Sequence, residues 1–305
     1  MDETTPMVLV DHFRMDFGAA TVVRDLSFEV RAGETFGFLG SNGSGKTTTI
    51  RALLGIYPAT AGRLLVNGRK FAPGSGIRLG YLPEERGLYK KESVLDVMTY
   101  FGQLKGVETR AARAWSMAYL ERVGLAEKAK TRVDKLSGGQ QQKVQLGVTV
   151  MNDPELLILD EPTKGFDPVN RRLLMDVIAE QQTKGATVVM VTHQMDEVER
   201  LCDRIVLLKD GGARAYGTVS EVQDSFGAPT ARVTHHHPLP VSDSWTVLSD
   251  QQGIAVLEPA PGRSGEVILA ELVEADAGVT GFEIARTSLD EIFLSVYGAD
   301  AGVED

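Results

Sequence analysis

Apolar and polar positions change their spacing along the chain, and each change marks an element. In "MVLVDHFRMDF" (7–17) and "TVVRDLSFEV" (21–30) they come close to alternating, so residues 7–36 read as strands joined by turns. "GETFGF" continues as a strand, and "TTTIRALLG" after it has helical spacing. "GRLLVNGRKF" reads as a strand with an Asn67-Gly68 turn, and "IRLGYLPEERGLY" leaves the strand pattern at Pro83. "ESVLDVMTYFGQLKGV" and "TRAARAWSMAYLERVGL" carry apolar residues at i, i+3 and i+4, with Gly106 and Gly124 as stops. They predict a mostly helical insert over about 88–145. Three short apolar runs follow, "ELLILDEP", "ATVVMVTH" and "RIVLLKDG", separated by helical stretches. Strands alternating with helices predict an α/β fold with a parallel sheet.

The pattern fades near residue 228. "FGAPTARVTHHHPLPVSDSW" holds three prolines and little periodicity, and reads as the entry to a second, smaller domain. The expected division is 1–228 and 229–305. In the second part, "WTVLSDQQGIAVLEP" predicts two strands about a turn and "GEVILAELVEADAG" a helix. "VTGFEIAR" predicts a strand and "SLDEIFLSVYG" a capped helix, an α+β set. His235, His236 and His237 lie in the Pro-flanked stretch and read as a solvated linker rather than a metal site.

Candidate chemistry starts at "FLGSNGSGKTTTIRALLG" (38–55). Gly40, Gly45, Lys46 and Thr47 fit Gly-x4-Gly-Lys-Thr, a phosphate-binding loop between a strand and a helix. Its glycines let backbone N–H groups turn toward an anion, and the helix start adds its dipole and free donors. Lys46 would reach the terminal phosphates and the Thr47 hydroxyl would ligate Mg²⁺. The bland alternative is a glycine-rich turn feeding a helix. "LLILDE" delivers Asp160 and Glu161 to a strand end, where Asp160 suits Mg²⁺ and Glu161 suits proton abstraction from water. His193 ends another apolar run and can donate to a phosphate. Ligands of parallel sheets bind at the carboxyl ends of strands, so these residues can converge.

Bulk properties narrow the classes. The 305 residues suffice for two domains, and 43% hydrophobic with 24% charged residues is ordinary for a globular protein. A net charge of −10 argues against nucleic acid as the main partner. The single cysteine, Cys202 in "RLCDRIV", forbids an internal disulfide, fits a reducing cytosol and reads as a buried thiol. "MDETTPMVLV" has no apolar core of a secretory signal, and no apolar run reaches the ~18 residues of a membrane span. Work at a membrane would need another chain to cross it.

"KLSGGQQQK" (135–143) decides among phosphate-loop proteins. Ser137, Gly138 and Gly139 open a helix with a hydroxyl and bare N–H groups, a second anion-binding terminus in one chain. Leu136 to Gln140 resembles the signature of ATP-binding cassette (ABC) ATPases and stands before Asp160, after a helical insert. "EPTKGFDP", with Asp167, resembles the family's D-loop region, and "VTHQMDEVE" its switch region. The resemblance covers about 7–225. It implies a P-loop NTPase fold with a parallel-sheet core, an N-terminal antiparallel β region and a helical insert. It places ATP on Ser41, Asn42, Gly43, Ser44, Gly45, Lys46, Thr47 and Thr48, with Phe17 stacking on adenine. A second cassette would close the site with its Ser137, Gly138, Gly139 and Gln140.

The family usually has Gln after "YLP". Glu84 stands here; it still offers an oxygen to Mg²⁺ but donates no hydrogen bond and adds a negative charge. "PEERGLY", "DPVN", "THQM" and "SLDEIFLSV" resemble a branch of ATP-binding subunits of bacterial drug-efflux or sodium-extrusion exporters. The resemblance thus implies an ATPase on the cytoplasmic face of the cell membrane, driving a membrane-spanning permease that docks near Glu84 to Tyr89 and the insert. A soluble ABC ATPase acting on nucleic acid or ribosomes, an importer cassette and a small-molecule kinase are the alternatives. The transported substrate is not encoded in these motifs.

Overall fold

The computed structural model describes residues 5–298 apart from 73, 75, 86, 165 and 228. Within these, the chain divides into two compact units, Met1–Tyr216 and Gly217–Asp305.

The first unit is built on one nine-stranded sheet. Strands β1 (Val8–Phe17) and β2 (Ala20–Val30) pair antiparallel and bury one face, as their alternation predicts. β3 (Thr35–Gly40) is buried along its whole length and leads into helix α1 (Lys46–Leu53). β4 (Ala61–Val66) pairs antiparallel with β1 and ends where Asn67 and Gly68 take positive φ, with only a single bridge from Val66 to Arg69 beyond. The expected strand is therefore shorter than "GRLLVNGRKF". β5 (Leu79–Leu82) stops before Pro83. The insert then holds α2 (Val94–Leu104), α3 (Thr109–Arg122) and the start of α4 (Gly138–Val150). Gly106 and Gly124, each one residue past the cap of α2 or α3, sit at φ +81° and +71°, the left-handed stop predicted for them.

β6 (Leu156–Asp160), α5 (Pro168–Thr183), β7 (Thr187–Val191), α6 (Met195–Leu201), β8 (Arg204–Lys209) and β9 (Gly212–Thr218), whose last two residues pass the division, complete the sheet and its helices. The sheet order is β4-β1-β2-β9-β8-β3-β7-β6-β5. β8, β3, β7, β6 and β5 run parallel, and β6 and β7 are buried at every position. Strands covered on both faces explain why their sequences are continuous apolar runs rather than alternating ones. One core packs Phe13, Leu26, Phe36, Phe38, Ile158 and Val191 beside α1, and a second packs Met98, Leu120, Val144 and Leu159 under the insert. Cys202 is buried, and burial pushes its thiol pKa up.

The second unit holds α7 (Val219–Phe226), β10 (Thr230–Thr234), β11 (Trp245–Gln251), β12 (Ile254–Pro259), α8 (Gly265–Glu274), β13 (Gly281–Ala285) and α9 (Leu289–Tyr297). Its sheet order is β11-β12-β10-β13, all antiparallel, over a core of Ala231, Val233, Trp245, Leu257, Ile268 and Leu272. The division at Gly217 precedes the expected 229 because α7 packs with α9 of this unit; residue 228 itself lies outside the described residues.

Two expectations are corrected here. "FGAPTARVTHHHPLPVSDSW" contains a strand, β10, whose five residues bury only Ala231 and Val233 and so gave no clear period. Of the histidines that follow it, His236 and His237 are exposed as expected, but His235 is not solvated: it is 8% exposed, its Nε2 lies 3.0 Å from Asp250 Oδ1 and its Nδ1 2.8 Å from the His237 carbonyl.

Candidate functional site

Gly45 caps α1 at φ +103°, and a Cβ there would stand 2.9 Å from Val23 Cγ2. Only glycine takes that conformation in that space, and no side chain caps the helix, so the first N–H groups of α1 face the loop formed by Ser41, Asn42 and Gly43. Gly43 also has positive φ, at +80°. Ser44 N–H donates to the Ser41 carbonyl at 3.2 Å, which curls the loop. Lys46 lies across it, with Nζ 2.7 Å from the Gly40 carbonyl and 2.9 Å from that of Ser41. Burial pulls the Lys46 pKa down, and the carboxylates of Glu161, Asp160 and Glu84 oppose this. Thr47 and Thr48 are half-buried on the first turn of α1.

The carboxyl ends of β6 and β7 bring the acids to this loop. Asp160 is 2% exposed. Its pKa is pushed up to about 6, first by burial and then by Glu84 and Glu161, against the pull of Lys46 and Thr47. Glu161 follows in a left-handed conformation, φ +49°, with its N–H on the Val191 carbonyl at 2.8 Å. A non-glycine residue in that region is strained and is held there by its surroundings. Its Oε1 is 2.8 Å from His193 Nδ1, while Oε2 is buried without a hydrogen-bond partner. Ser44 Oγ is likewise buried and unpartnered.

These unpartnered polar atoms, the open N–H groups of α1 and an all-oxygen donor set fit a triphosphate with Mg²⁺. Thr47, Asp160 and Glu84 are the oxygens that would hold the metal. Glu84 is not free, however: Lys164 Nζ stands 2.6 Å from its Oε1.

Phe17 is 46% exposed at the end of β1, with Tyr57 against it edge-on at 5.5 Å between centroids. That geometry supports the ring and leaves it open to stacking. The signature residues form a separate group. Ser137 Oγ accepts from Gln140 N–H at 3.3 Å and Gln140 Oε1 accepts from Ser137 N–H at 3.0 Å, a capping box on α4. The Ser137 hydroxyl is therefore the helix cap, while Gly138 and Gly139 leave the backbone bare. Among the described residues, no hydrogen bond or ion pair joins this group to the phosphate loop. Asp167 caps α5 by accepting from Asn170 N–H at 2.9 Å, and Asn170 borders Gly139.

Three participants were not read from the sequence. Lys164 in "EPTKGFDP" pairs with Glu84, and Tyr57 supports Phe17. Buried Gln145 on α4 donates to the carbonyls of Pro83 and Glu85, at 3.5 and 3.3 Å. The lysine could have been found as a cation three residues past Glu161; the other two are contacts between distant segments and leave no local pattern.

Glycine-capped phosphate loop, strand-end acids and a second helix terminus within one α/β unit define a nucleotide-hydrolysing cassette. The family model "ABC transporter" matches residues 23–164, and the model "ATP-binding protein DrrA1-3-like, C-terminal domain" matches 217–297. An uncharacterized ABC transporter ATP-binding protein of Bacillus subtilis, YhaQ, is 35% identical over 96% of this chain and 99% of its own. The Nod factor export ATP-binding protein I of Paraburkholderia xenovorans is 34% identical over 87% of this chain and 86% of its own. A solved ATP-binding subunit of an ABC transporter superposes with a TM-score of 0.66, at 28% identity, over 72% of this chain and 93% of that one. The chain belongs to the ABC transporter ATP-binding proteins. Such subunits hydrolyse ATP to power transport and work with membrane permease partners. No helix among the described residues is long and apolar enough to cross a membrane.

Proposed function

We propose that this chain is the ATPase of an exporter, in which two copies close on two ATP–Mg²⁺ and thereby move a permease between two states. The phosphate loop from Ser41 to Thr48 binds the triphosphate, Phe17 stacks on the base, and Thr47, Asp160 and Glu84 hold Mg²⁺. Bound there, the metal would neutralise phosphate charge. Glu161 takes the proton of the attacking water, and His193 fixes that carboxylate through one oxygen while contacting the terminal phosphate. Ser137, Gly138, Gly139 and Gln140 of a second copy complete each site.

The observation that carries this reading is Glu161. A buried carboxylate in a strained backbone, oriented by His193 through one oxygen and with the other unpartnered, is placed beside Lys46 and Asp160. Export is supported by the similarity to the Nod factor export ATP-binding protein and by the C-terminal domain match. The chain then sits on the cytoplasmic face of the cell membrane, held by its permease near residues 83–89 and the helical insert; residue 86 of that stretch is outside the described residues.

Glu161→Gln tests the chemistry. It retains ATP binding and lowers turnover by about 10²–10⁴, the usual worth of a positioned base. Turnover near the wild-type rate would remove Glu161 from the role and the mechanism with it.

A further inference from the structure

The Glu84–Lys164 pair spans two loops that leave neighbouring strand ends. β5 and β6 are parallel partners, with Leu82 opposite Leu159, so the segments after them run side by side. Glu84 lies two residues past β5, and Lys164 four past β6. Lys164 N–H donates to the Glu161 carbonyl at 3.2 Å, which fixes the start of its loop to the base. The carbonyls on both sides of Glu84 are held by Gln145, which is 4% exposed. The Glu84 backbone is thus anchored, and its side chain is the part free to move.

Two sets of charges compete for that side chain. On one side is Lys164, 2.6 Å away in an ion pair whose partners are 62% and 42% exposed. On the other is the phosphate site, since Glu84 acts electrostatically on both Asp160 and Lys46. Solvent-exposed pairs contribute little and are exchanged at low cost, whereas a divalent cation held by Asp160 attracts a third oxygen strongly. A glutamine at position 84 would have no charge to pair, and a lysine at 164 would then have no partner there.

We propose that Lys164 is a positioning residue that holds Glu84 off the metal site in the nucleotide-free chain and yields it when Mg²⁺ and ATP arrive. The loops carrying Glu84 and Asp167 are joined by an ion pair before loading and released from each other after it. Metal loading is thereby transmitted to the two segments that the ABC reading assigns to permease docking and to the second cassette. This inference rests on that reading.

The test is a double-mutant cycle on the full chain: wild type, Lys164→Ala, Glu84→Gln and both together. A slowly hydrolysed ATP analogue is bound and Mg²⁺ is titrated, with the half-saturating concentration as readout. Lys164→Ala frees Glu84 and lowers that concentration about three- to fivefold, the size of an exposed ion pair. In the Glu84→Gln background the same substitution leaves it unchanged, and Lys164→Arg preserves the wild-type value. An equal shift in both backgrounds, or none in either, overturns the exchange and leaves the ATPase reading intact. A wild-type chain that binds no nucleotide in a Mg²⁺-dependent way brings down both.

Discussion

Asp160 pays for its position. Its carboxyl is driven up to about 6 by burial and by Glu84 and Glu161, so between about pH 4 and 6 the folded, metal-free chain holds a proton that the unfolded chain has lost. The charged form therefore costs stability at neutral pH, on the order of 2–3 kcal/mol, and that cost declines as pH falls below about 6 and is gone below about 4. Metal and proton compete for the same oxygens. The half-saturating Mg²⁺ concentration, measured with ATP present, is expected to rise on lowering pH from 7, approaching about tenfold per unit below 6. Asp160→Asn should raise the metal-free melting temperature at pH 7 while abolishing Mg²⁺-dependent turnover. A Mg²⁺ affinity that stays flat down to pH 5, or an Asn variant that melts lower, would contradict this account of the residue.

At the scale of elements, α4 does more than fill the insert. It begins at the signature glycines, and Gln145 on it clamps the Glu84 segment; Thr149 Oγ1 also lies 3.4 Å from the Tyr81 carbonyl. A rigid helix thus connects the signature glycines with the Glu84 segment. Its fit depends on Gly147, where a Cβ would fall 2.4 Å from Tyr119 Cε1 and 2.9 Å from Met98 Cε. Tyr119 cannot retreat easily, because it stacks on Trp115 and donates to the Lys143 carbonyl at 2.8 Å. Gly147→Ala is expected to destabilise the chain by about 1–3 kcal/mol through overpacking, read as a lower melting temperature. An unchanged melting curve would show that the insert repacks freely. This element also shows where sequence reading stops. Leu136 to Gln140, the strands β3, β6 and β7, and the loop from Gly40 to Thr47 were legible because each has a local signature. The clamp of Gln145, the pairing of Lys164 and the burial of His235 join residues 15 to 80 positions apart, and no local period records such contacts. The strand β10 was missed for another reason: two buried residues between prolines are too few to set a period.

For the whole molecule, the decisive observation is that, among the described residues, no hydrogen bond or ion pair joins the phosphate loop to the start of α4. Lys46 and Thr47 on α1 meet Asp160, Glu161 and His193 from the strand ends, while Ser137 to Gln140 make, among the described residues, only the hydrogen bonds of their own helix start. Gly138 and Gly139 present bare backbone at the start of α4, and Asn170, which donates to Asp167 at 2.6 Å, borders the same patch. Association of two copies would supply each terminal phosphate with the missing donors, and those contacts exist only while the phosphate is present. In the Glu161→Gln chain, ATP with Mg²⁺ is therefore expected to double the mass in solution, and ADP is not. Ser137→Arg in that background should block the doubling while each monomer still binds ATP, because the change lies outside the phosphate loop. Lys46→Ala should instead lose binding and doubling together. If Ser137→Arg dimerises with ATP as readily as its parent, the signature face is not the partner surface, and the two helix termini of this chain need another explanation.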